Sequence, residues 1–541
     1  MKGQWTALPS GHTKDSSLSK RKGEKMKRLR WIWRGDLYLR AVILLAVIAS
    51  ISSFAYFYSH EMTVLYNDAK SHLMIAKRVV DSLTPGFAQL GGVWLPLPHI
   101  LMLPFIWNDF MYWSGLAGSI VSMASFILAT VFIYKIALLL TEDKGAGLIA
   151  AFIFAINPNV LYMQSTPMTE LPLFLFMAAS IYFLTRWSQT NSLIYLVATG
   201  GAVFLATITR YEGWILLLGV TVALIYICVR QRFGHQKTEG HVVYFGILAG
   251  FGIFLWFVWN QVIFDDALGF MRGEYAKPSL WVAEGELAIG NLSIATRTFW
   301  LATTHNLGPI VLAMAGLGLV YYLLRTKISA DKIGPLILLM FFPFFVTALY
   351  LGQRPLHIPE ITGYMYNVRF GLVMILPAAF TTCYLTNIGK GTKIAWLPKV
   401  LVISLVSFAT MATFQTNNVI TLNEPASEKE ASEWGVRAVA TAQWLSQNYD
   451  EDLILMANFG NESIAFESRI PMGKFIYEGS YKYWEPALEN PQDFAKWVFM
   501  RGGITPDKVW KALHSTPQLL DNYDLVYQNG GIEIYKRKPT L

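Results

Sequence analysis

Apolar runs near the length of a bilayer crossing constrain this chain more than any single motif. About eleven of them occur, at approximately 41–59, 114–140, 146–162, 169–185, 193–209, 213–230, 241–264, 304–325, 334–351, 369–388 and 397–415. A helix needs roughly 20 mostly apolar residues to cross the hydrocarbon core. Inside lipid only helices and closed barrels satisfy their own backbone. The runs therefore predict a mainly α, polytopic transmembrane helical bundle. Composition agrees: 15% of the 541 residues are charged, against about 25% in soluble domains.

Charge between the runs sets the topology. Residues 1–40 hold eleven Lys or Arg against three acids and read as a basic cytoplasmic tail. No cleavage site of small residues follows, so 41–59 reads as an uncleaved first span. The later loops on the same side carry Arg186; Arg230, Arg232 and Lys237; Arg325, Lys327 and Lys332; Lys390, Lys393 and Lys399, and the Thr141–Lys144 loop, with Glu142 and Asp143, is the one weak member. That asymmetry is the positive-inside pattern of a multi-pass plasma-membrane protein. The formal charge of +8 sits in this tail and these loops, which argues against nucleic acid as a partner. Cys228 and Cys383 each lie inside an apolar run and read as core residues rather than a disulfide.

The chain divides into the tail (1–40), a transmembrane domain (41–415) with a long first outer loop (60–113), and a soluble domain (416–541). In the last part, Leu453–Ala457 and Trp497–Met500 read as buried strands, and Ala438–Gln447 as a helix. Leu525–Tyr527 and Ile532–Tyr535 flank Gly530-Gly531 as a hairpin. This predicts a small extracytoplasmic α/β domain, whose aromatics between Ser463 and Leu488 read mainly as packing. No G-x-G-x-x-G follows a strand, so a soluble nucleotide-sugar donor is not indicated.

The first outer loop opens with Asn67-Asp68. Ala69, Leu73, Ala76, Val80 and Leu83 then recur at spacings of 4, 3, 4 and 3, one apolar stripe of an interfacial helix. Lys70, Lys77 and Asp81 fall opposite. Asn67 is a good N-cap, Asp68 lies in the first turn where the helix dipole favours an anion, and His72 follows one turn later on the same side. Further along, GGVWLPLPHILMLPF carries three prolines that stop a regular span and places His99 beside them.

This arrangement resembles the GT-C superfamily of membrane glycosyltransferases, nearest to the protein O-mannosyltransferase and aminoarabinose transferase branch. The resemblance covers roughly residues 40–390. Members usually carry two adjacent acids here; this chain has Asn67-Asp68, so the resemblance rests on Asp68. The branch's Lys-Pro-Pro motif has no lysine in the corresponding stretch, Trp94 to His99. Arg369-Phe370 with the later Pro377 resembles the entry to a late span in lipid-linked sugar transferases.

Other ionisable residues fall on the same face: Glu170, Arg210, Glu212, Arg354, His357 and Arg369. Ionisable groups near a membrane are costly and usually functional. Together these residues predict an enzyme that moves a hexosyl or pentosyl unit from a polyprenyl-phosphate-linked donor to a hydroxyl on a lipid, glycan or protein acceptor. Asp68 is the expected general base of an inverting displacement. Arg369 and Arg210 suit the phosphate, with Arg354 and His357 behind them. Glu170 and Glu212 are expected to hold sugar, acceptor or a cation, and His72 and His99 complete the substrate-binding set. No zinc-like ligand spacing occurs, which leaves a hard cation such as Mg2+ open. The alternative is a transporter or flippase of lipid-linked sugars, which should show related halves and charges near the midplane.

Overall fold

The computed structural model describes residues 36–283, 285–325, 329–503 and 506–539. Most of the basic tail, and Lys327, lie outside the described residues. Every predicted apolar run lies on a helix. Among the described residues, seven helices are long and apolar enough to cross a membrane: Leu37–Ser59, Leu116–Thr141, Glu170–Thr190, Glu212–Arg230, His235–Phe264, Val368–Asn387 and Leu397–Ala431. Two more runs form bent pairs, Lys144–Ala155 with Pro158–Gln164 at 66° and Leu292–Leu307 with Pro309–Arg325 at 107°. The bends fall where a proline opens the second half. Proline has no N–H for the preceding turn, and its ring clashes with the carbonyl four residues back. The shorter apolar helices Leu193–Thr207 and Gly334–Tyr350 carry the remaining two runs. The protein is a multi-pass membrane protein.

Burial orders these helices. Val368–Asn387 is the central span, its most apolar stretch 94% buried, whereas the same measure is 22% for Leu37–Ser59 and for His235–Phe264. The central span starts as a tight 3-10 turn, Val368–Met374, that backs directly onto Leu292–Leu307. A β-carbon on Gly371 would lie 2.5 Å from the Ala302 carbonyl, so only glycine permits this approach. At one end of the bundle, Asp36 pairs with Lys144 at 3.2 Å and Asp143 with Lys399. Asp143 also caps the helix that follows it, which accounts for an acid among otherwise basic loops there. Cys228 and Cys383 are buried free thiols.

The other end carries the first outer loop and the C-terminal domain. The domain holds a five-stranded sheet of order β2-β1-β3-β5-β4, with β1 Ile454–Leu455, β2 Phe475–Ile476, β3 Trp497–Arg501, β4 Tyr523–Asn529 and β5 Ile532–Arg537. β1 runs parallel to β2 and β3, and β3, β5 and β4 are antiparallel. The expected hairpin turns at Gly530-Gly531, and the expected helix spans Glu433–Asn448. The short strand β2 gave no alternation to read. Phe466, Phe475, Tyr477 and Trp484 are buried and pack the core, whereas Tyr481 is exposed.

The amphipathic helix forms as its periodicity predicts, over Asn67–Val80, but its surroundings differ from the expectation. Its polar side does not face water. Lys70 and Lys77 are buried, paired with Glu467 at 2.8 Å and Asp109 at 2.7 Å. Leu73, Met74 and Ala76 share one apolar cluster with Ile464, Phe466, Met472 and Tyr477 of the C-terminal domain. The helix is sandwiched between bundle and domain, because its long lysines can bury their stems while each ammonium meets a carboxylate. Asn67 also departs from its expected role. It is the first helical residue, preceded by Tyr66 as cap, and its side-chain oxygen accepts from Ser463 Oγ at 2.7 Å.

Candidate active site

Asp68 sits in the first turn of Asn67–Val80, at the seam between bundle and domain. Its carboxylate accepts a hydrogen bond from Arg369 Nη2. Arg369 leaves the tight start of the central span and is met on two further sides, by Glu170 Oε1 at 3.2 Å and Glu424 Oε1 at 3.3 Å. Its guanidinium also lies 4.8 Å from the centre of the Tyr66 ring, within cation–π range. Glu170, first residue of its span, shares Oε1 with Arg210 Nη1 at 3.0 Å. Its Oε2 is buried and finds no partner among the described residues. An unpaired buried carboxylate oxygen is costly.

Arg210 continues the chain. It donates to Thr169 Oγ1 at 2.8 Å and forks onto Glu212, with contacts of 3.3 and 3.1 Å. Burial alone would lower the Arg210 pKa, but Glu212 and Glu170 outweigh it and hold the guanidinium above its ordinary value. The fork depends on a tight turn between Leu193–Thr207 and Glu212–Arg230. A β-carbon on Gly213 would lie 2.2 Å from the Ala206 carbonyl oxygen. Arg354 ends the series, 3.9 Å from Glu212 and stacked over Phe370 at 5.6 Å. Acid and base therefore alternate from Asp68 to Arg354, across residues from five separate segments.

A family model described as dolichyl-phosphate-mannose-protein mannosyltransferase matches residues 102–259. The fold aligns with ArnT from Cupriavidus metallidurans bound to undecaprenyl phosphate, at TM-score 0.55 and 12% identity over 92% of this chain and 97% of that one. Apo ArnT aligns at TM-score 0.55 and 12% identity over 94% and 98%. The family model spans less than a third of the chain, and the likeness to ArnT is a likeness of fold. The Archaeoglobus fulgidus oligosaccharyltransferase tethered with an acceptor peptide aligns more loosely, at TM-score 0.48 and 11% identity over 86% of this chain and 69% of that one. No curated protein sequence matches the chain.

Within this fold, six of the nine residues expected from sequence lie on one connected chain: Asp68, Glu170, Arg210, Glu212, Arg354 and Arg369. His72 and His99 form a separate buried pair, Nδ1 to Nε2 at 2.9 Å, with the Trp94 ring 4.4 Å from His72. Burial, with Arg210 and Arg369 adding to it, lowers His72 to about 3. Burial, with His72 and Arg78 adding to it, also pushes His99 well below its usual value. Both rings are neutral at physiological pH. His357 is not on the chain. It faces Glu286 at 3.5 Å and lies against Tyr364.

Glu424 escaped the sequence reading. It lies on Ile420–Ala431, beyond the last apolar run, where the composition already looks soluble. Its signal was the apolar pair Val419-Ile420 just before it, which packs with the spans. Glu424 is buried and accepts from the backbone N–H groups of Asn367 and Val368, each at 2.8 Å. It thus holds both Arg369 and the turn that aims it. Among the described residues, no three of His, Cys, Asp or Glu group closely enough to hold a metal ion.

Proposed function

We propose that the protein transfers a sugar from a polyprenyl-phosphate-linked donor to an acceptor hydroxyl at the extracytoplasmic face, with Asp68 as general base. One observation carries this assignment. The Asp68 side chain is 37% exposed, while Glu170, Glu212 and Glu424 are 5% exposed or less. Asp68 is the carboxylate of the network that an incoming hydroxyl can reach. The others serve to aim arginines.

In the proposed step the acceptor O–H gives its proton to Asp68 while its oxygen attacks the anomeric carbon. The bond from that carbon to the phosphate oxygen breaks, and its electron pair leaves with the polyprenyl phosphate. Attack opposite the leaving group inverts the anomeric centre. Leaving-group charge falls to the arginines, whose fork matches phosphate oxygens. Arg210 and Arg369 are enclosed by carboxylates, whereas Arg354 is 26% exposed and, among the described residues, has Glu212 as its one carboxylate partner, at 3.9 Å. Arg354 is therefore the first candidate for the phosphate, with Arg210 and Arg369 ordering the site around it. ArnT, which shares the fold, binds undecaprenyl phosphate, and that supports a lipid phosphate as leaving group.

The test is transfer by the purified protein from labelled polyprenyl-phosphate sugars, wild type beside Asp68→Asn. Removing a general base should slow turnover by about 10²–10⁴-fold while melting temperature and donor binding stay at wild-type values. Near-normal turnover in Asp68→Asn would exclude this role.

A further inference from the structure

Arg78, in the last turn of Asn67–Val80, is unlike the arginines of the reaction centre. Arg210, Arg354 and Arg369 each meet a carboxylate. Arg78 is half-buried and, among the described residues, has no carboxylate within ion-pair distance. Its guanidinium lies 5.2 Å from the centre of the Tyr477 ring in the C-terminal domain, a cation–π contact that steadies the group without neutralising it. Its Nε is buried and finds no partner among the described residues. A guanidinium donates and cannot accept, so this N–H bears its desolvation cost unrelieved. Glu462 lies within electrostatic reach, but burial pushes it up to about 7, so it offsets the arginine only in part.

Two more orphaned groups surround Arg78. Tyr112 Oη and His99 Nδ1 are buried without partners among the described residues, both side chains are fully enclosed, and Arg78 acts electrostatically on each. A phenol hydroxyl donates, and a neutral imidazole that accepts at Nε2 donates from Nδ1. Three unsatisfied groups able to donate, from Asn67–Val80, Leu97–Ile106 and Asp109–Trp113, thus lie around one poorly compensated positive charge. That chemistry suits an anion. A cation is repelled, and a neutral ligand leaves the guanidinium unpaired.

The surroundings point to where the anion comes from. Lys77, the neighbour of Arg78, holds Asp109 at 2.7 Å. Asp109 sits between Trp107 and Phe110, both exposed, shortly before the span Leu116–Thr141. Exposed aromatics at a span end lie at the headgroup level of a bilayer, which puts Arg78 near that level. It is also remote from the reaction centre. Asp68 and Arg78 lie on one helix, separated by about 15 Å at 1.5 Å per residue. A phosphate leaving the carbon attacked beside Asp68 does not span that distance, so the anion at Arg78 is a second one.

We propose that Arg78, with Tyr112 and His99, binds the phosphate group of a lipid in the leaflet on the side of the C-terminal domain. Arg78 supplies the charge and a fork that matches two phosphate oxygens, and Tyr112 and His99 supply donors at the closed end. Basic pockets beside transmembrane helices take lipid headgroups in this way. The proposal stands independently of the transferase reading.

The test uses the full-length protein in a neutral detergent with three probes: dihexanoyl phosphatidic acid, dihexanoylglycerol, which lacks the phosphate, and inorganic phosphate. Binding is measured by isothermal titration calorimetry in an Arg354→Gln background, which removes the candidate phosphate arginine of the reaction centre, and the melting temperature of each variant is recorded. The expected result is saturable binding of the phosphatidic acid, roughly tenfold or more tighter than either other probe. Arg78→Gln should weaken that binding roughly tenfold or more, Arg78→Lys should restore part of it, and Tyr112→Phe, which deletes only the orphaned hydroxyl, should weaken it about threefold. Equal affinity for phosphatidic acid and dihexanoylglycerol, or a Kd indifferent to Arg78→Gln, overturns the proposal. Inorganic phosphate binding as tightly as the lipid makes this a soluble anion's site and overturns it as well. If Arg78→Gln does not fold, Arg78→Lys and Tyr112→Phe decide: a Kd unchanged in both refutes the site.

Discussion

Glu424 receives three donors at once: the Asn367 and Val368 amides at 2.8 Å and Arg369 Nη1 at 3.3 Å. Replacing it with Gln keeps the shape and removes half of the accepting capacity. The new NH2 must face one of the two amides, donor against donor. A buried donor without a partner costs about 1–3 kcal/mol, and hydrogen bonds to a charged group, worth about 1.5–3, fall to about 0.5–1.5 when the charge is removed. Arg369 keeps Asp68 and Glu170, so the larger penalty for an unpaired buried charge does not apply. The expected cost is about 2–4 kcal/mol, felt first at the turn over 367–369. Hydrogen exchange read on peptides covering that turn should accelerate roughly thirty- to thousand-fold in Glu424→Gln. The melting temperature of the detergent-solubilised protein should fall by roughly 2–6 °C. Exchange and melting both matching wild type would show that Glu424 does not hold the turn, and the account of how Arg369 is aimed would be wrong.

Gly371→Ala should cost turnover before it costs expression, because its methyl would meet the Ala302–Thr303 backbone at about 2.5 Å and push Arg369 away from Asp68. Unchanged activity in that variant would mean the close approach is not needed. Gln89 accepts from Tyr477 Oη at 2.6 Å and donates to the Gly479 carbonyl at 2.7 Å, tying the first outer loop to the domain. Gln89→Ala should leave Tyr477 without a buried partner, destabilise by about 1–3 kcal/mol and speed proteolysis between loop and domain; an unaltered digestion pattern would count against this tie. His72, held near about 3 by burial, titrates near 6.5 when unfolded. Between those values the unfolded chain binds more protons, so this contribution to stability is complete above pH 6.5 and is lost as pH falls toward 3. Melting temperature should therefore drop between pH 7 and 5 more steeply in wild type than in a His72→Gln/His99→Gln double variant. Parallel curves would contradict the neutral pair.

Local rules carried much of this fold. Apolar run length placed the spans, because a backbone in lipid can only satisfy itself by coiling. The 4-3-4-3 stripe placed the helix at 67–80, and alternation with a Gly-Gly turn placed the hairpin. The end of the bundle that holds Glu170, Arg210, Glu212 and Arg369 was also legible, since charges at span ends follow from counting crossings. The covering of the 67–80 helix was not. Lys70 and Lys77 look solvated in sequence, and only the distant Glu467 and Asp109 make their burial affordable.

What the amino-acid sequence determined alone is therefore which segments are helical, which are apolar enough to cross a membrane and which residues could carry charge at one end of the bundle. What only tertiary structure decided is which of those charges meet. Asp68 and Arg369 stand 301 positions apart, and no period or spacing encodes a contact at that range. It arises because a glycine lets the central span press against its neighbour and because Glu424 caps the turn from the far side. Contacts of that kind depend on how several helices pack at once, whereas a run of apolar residues enters the membrane for reasons contained within the run.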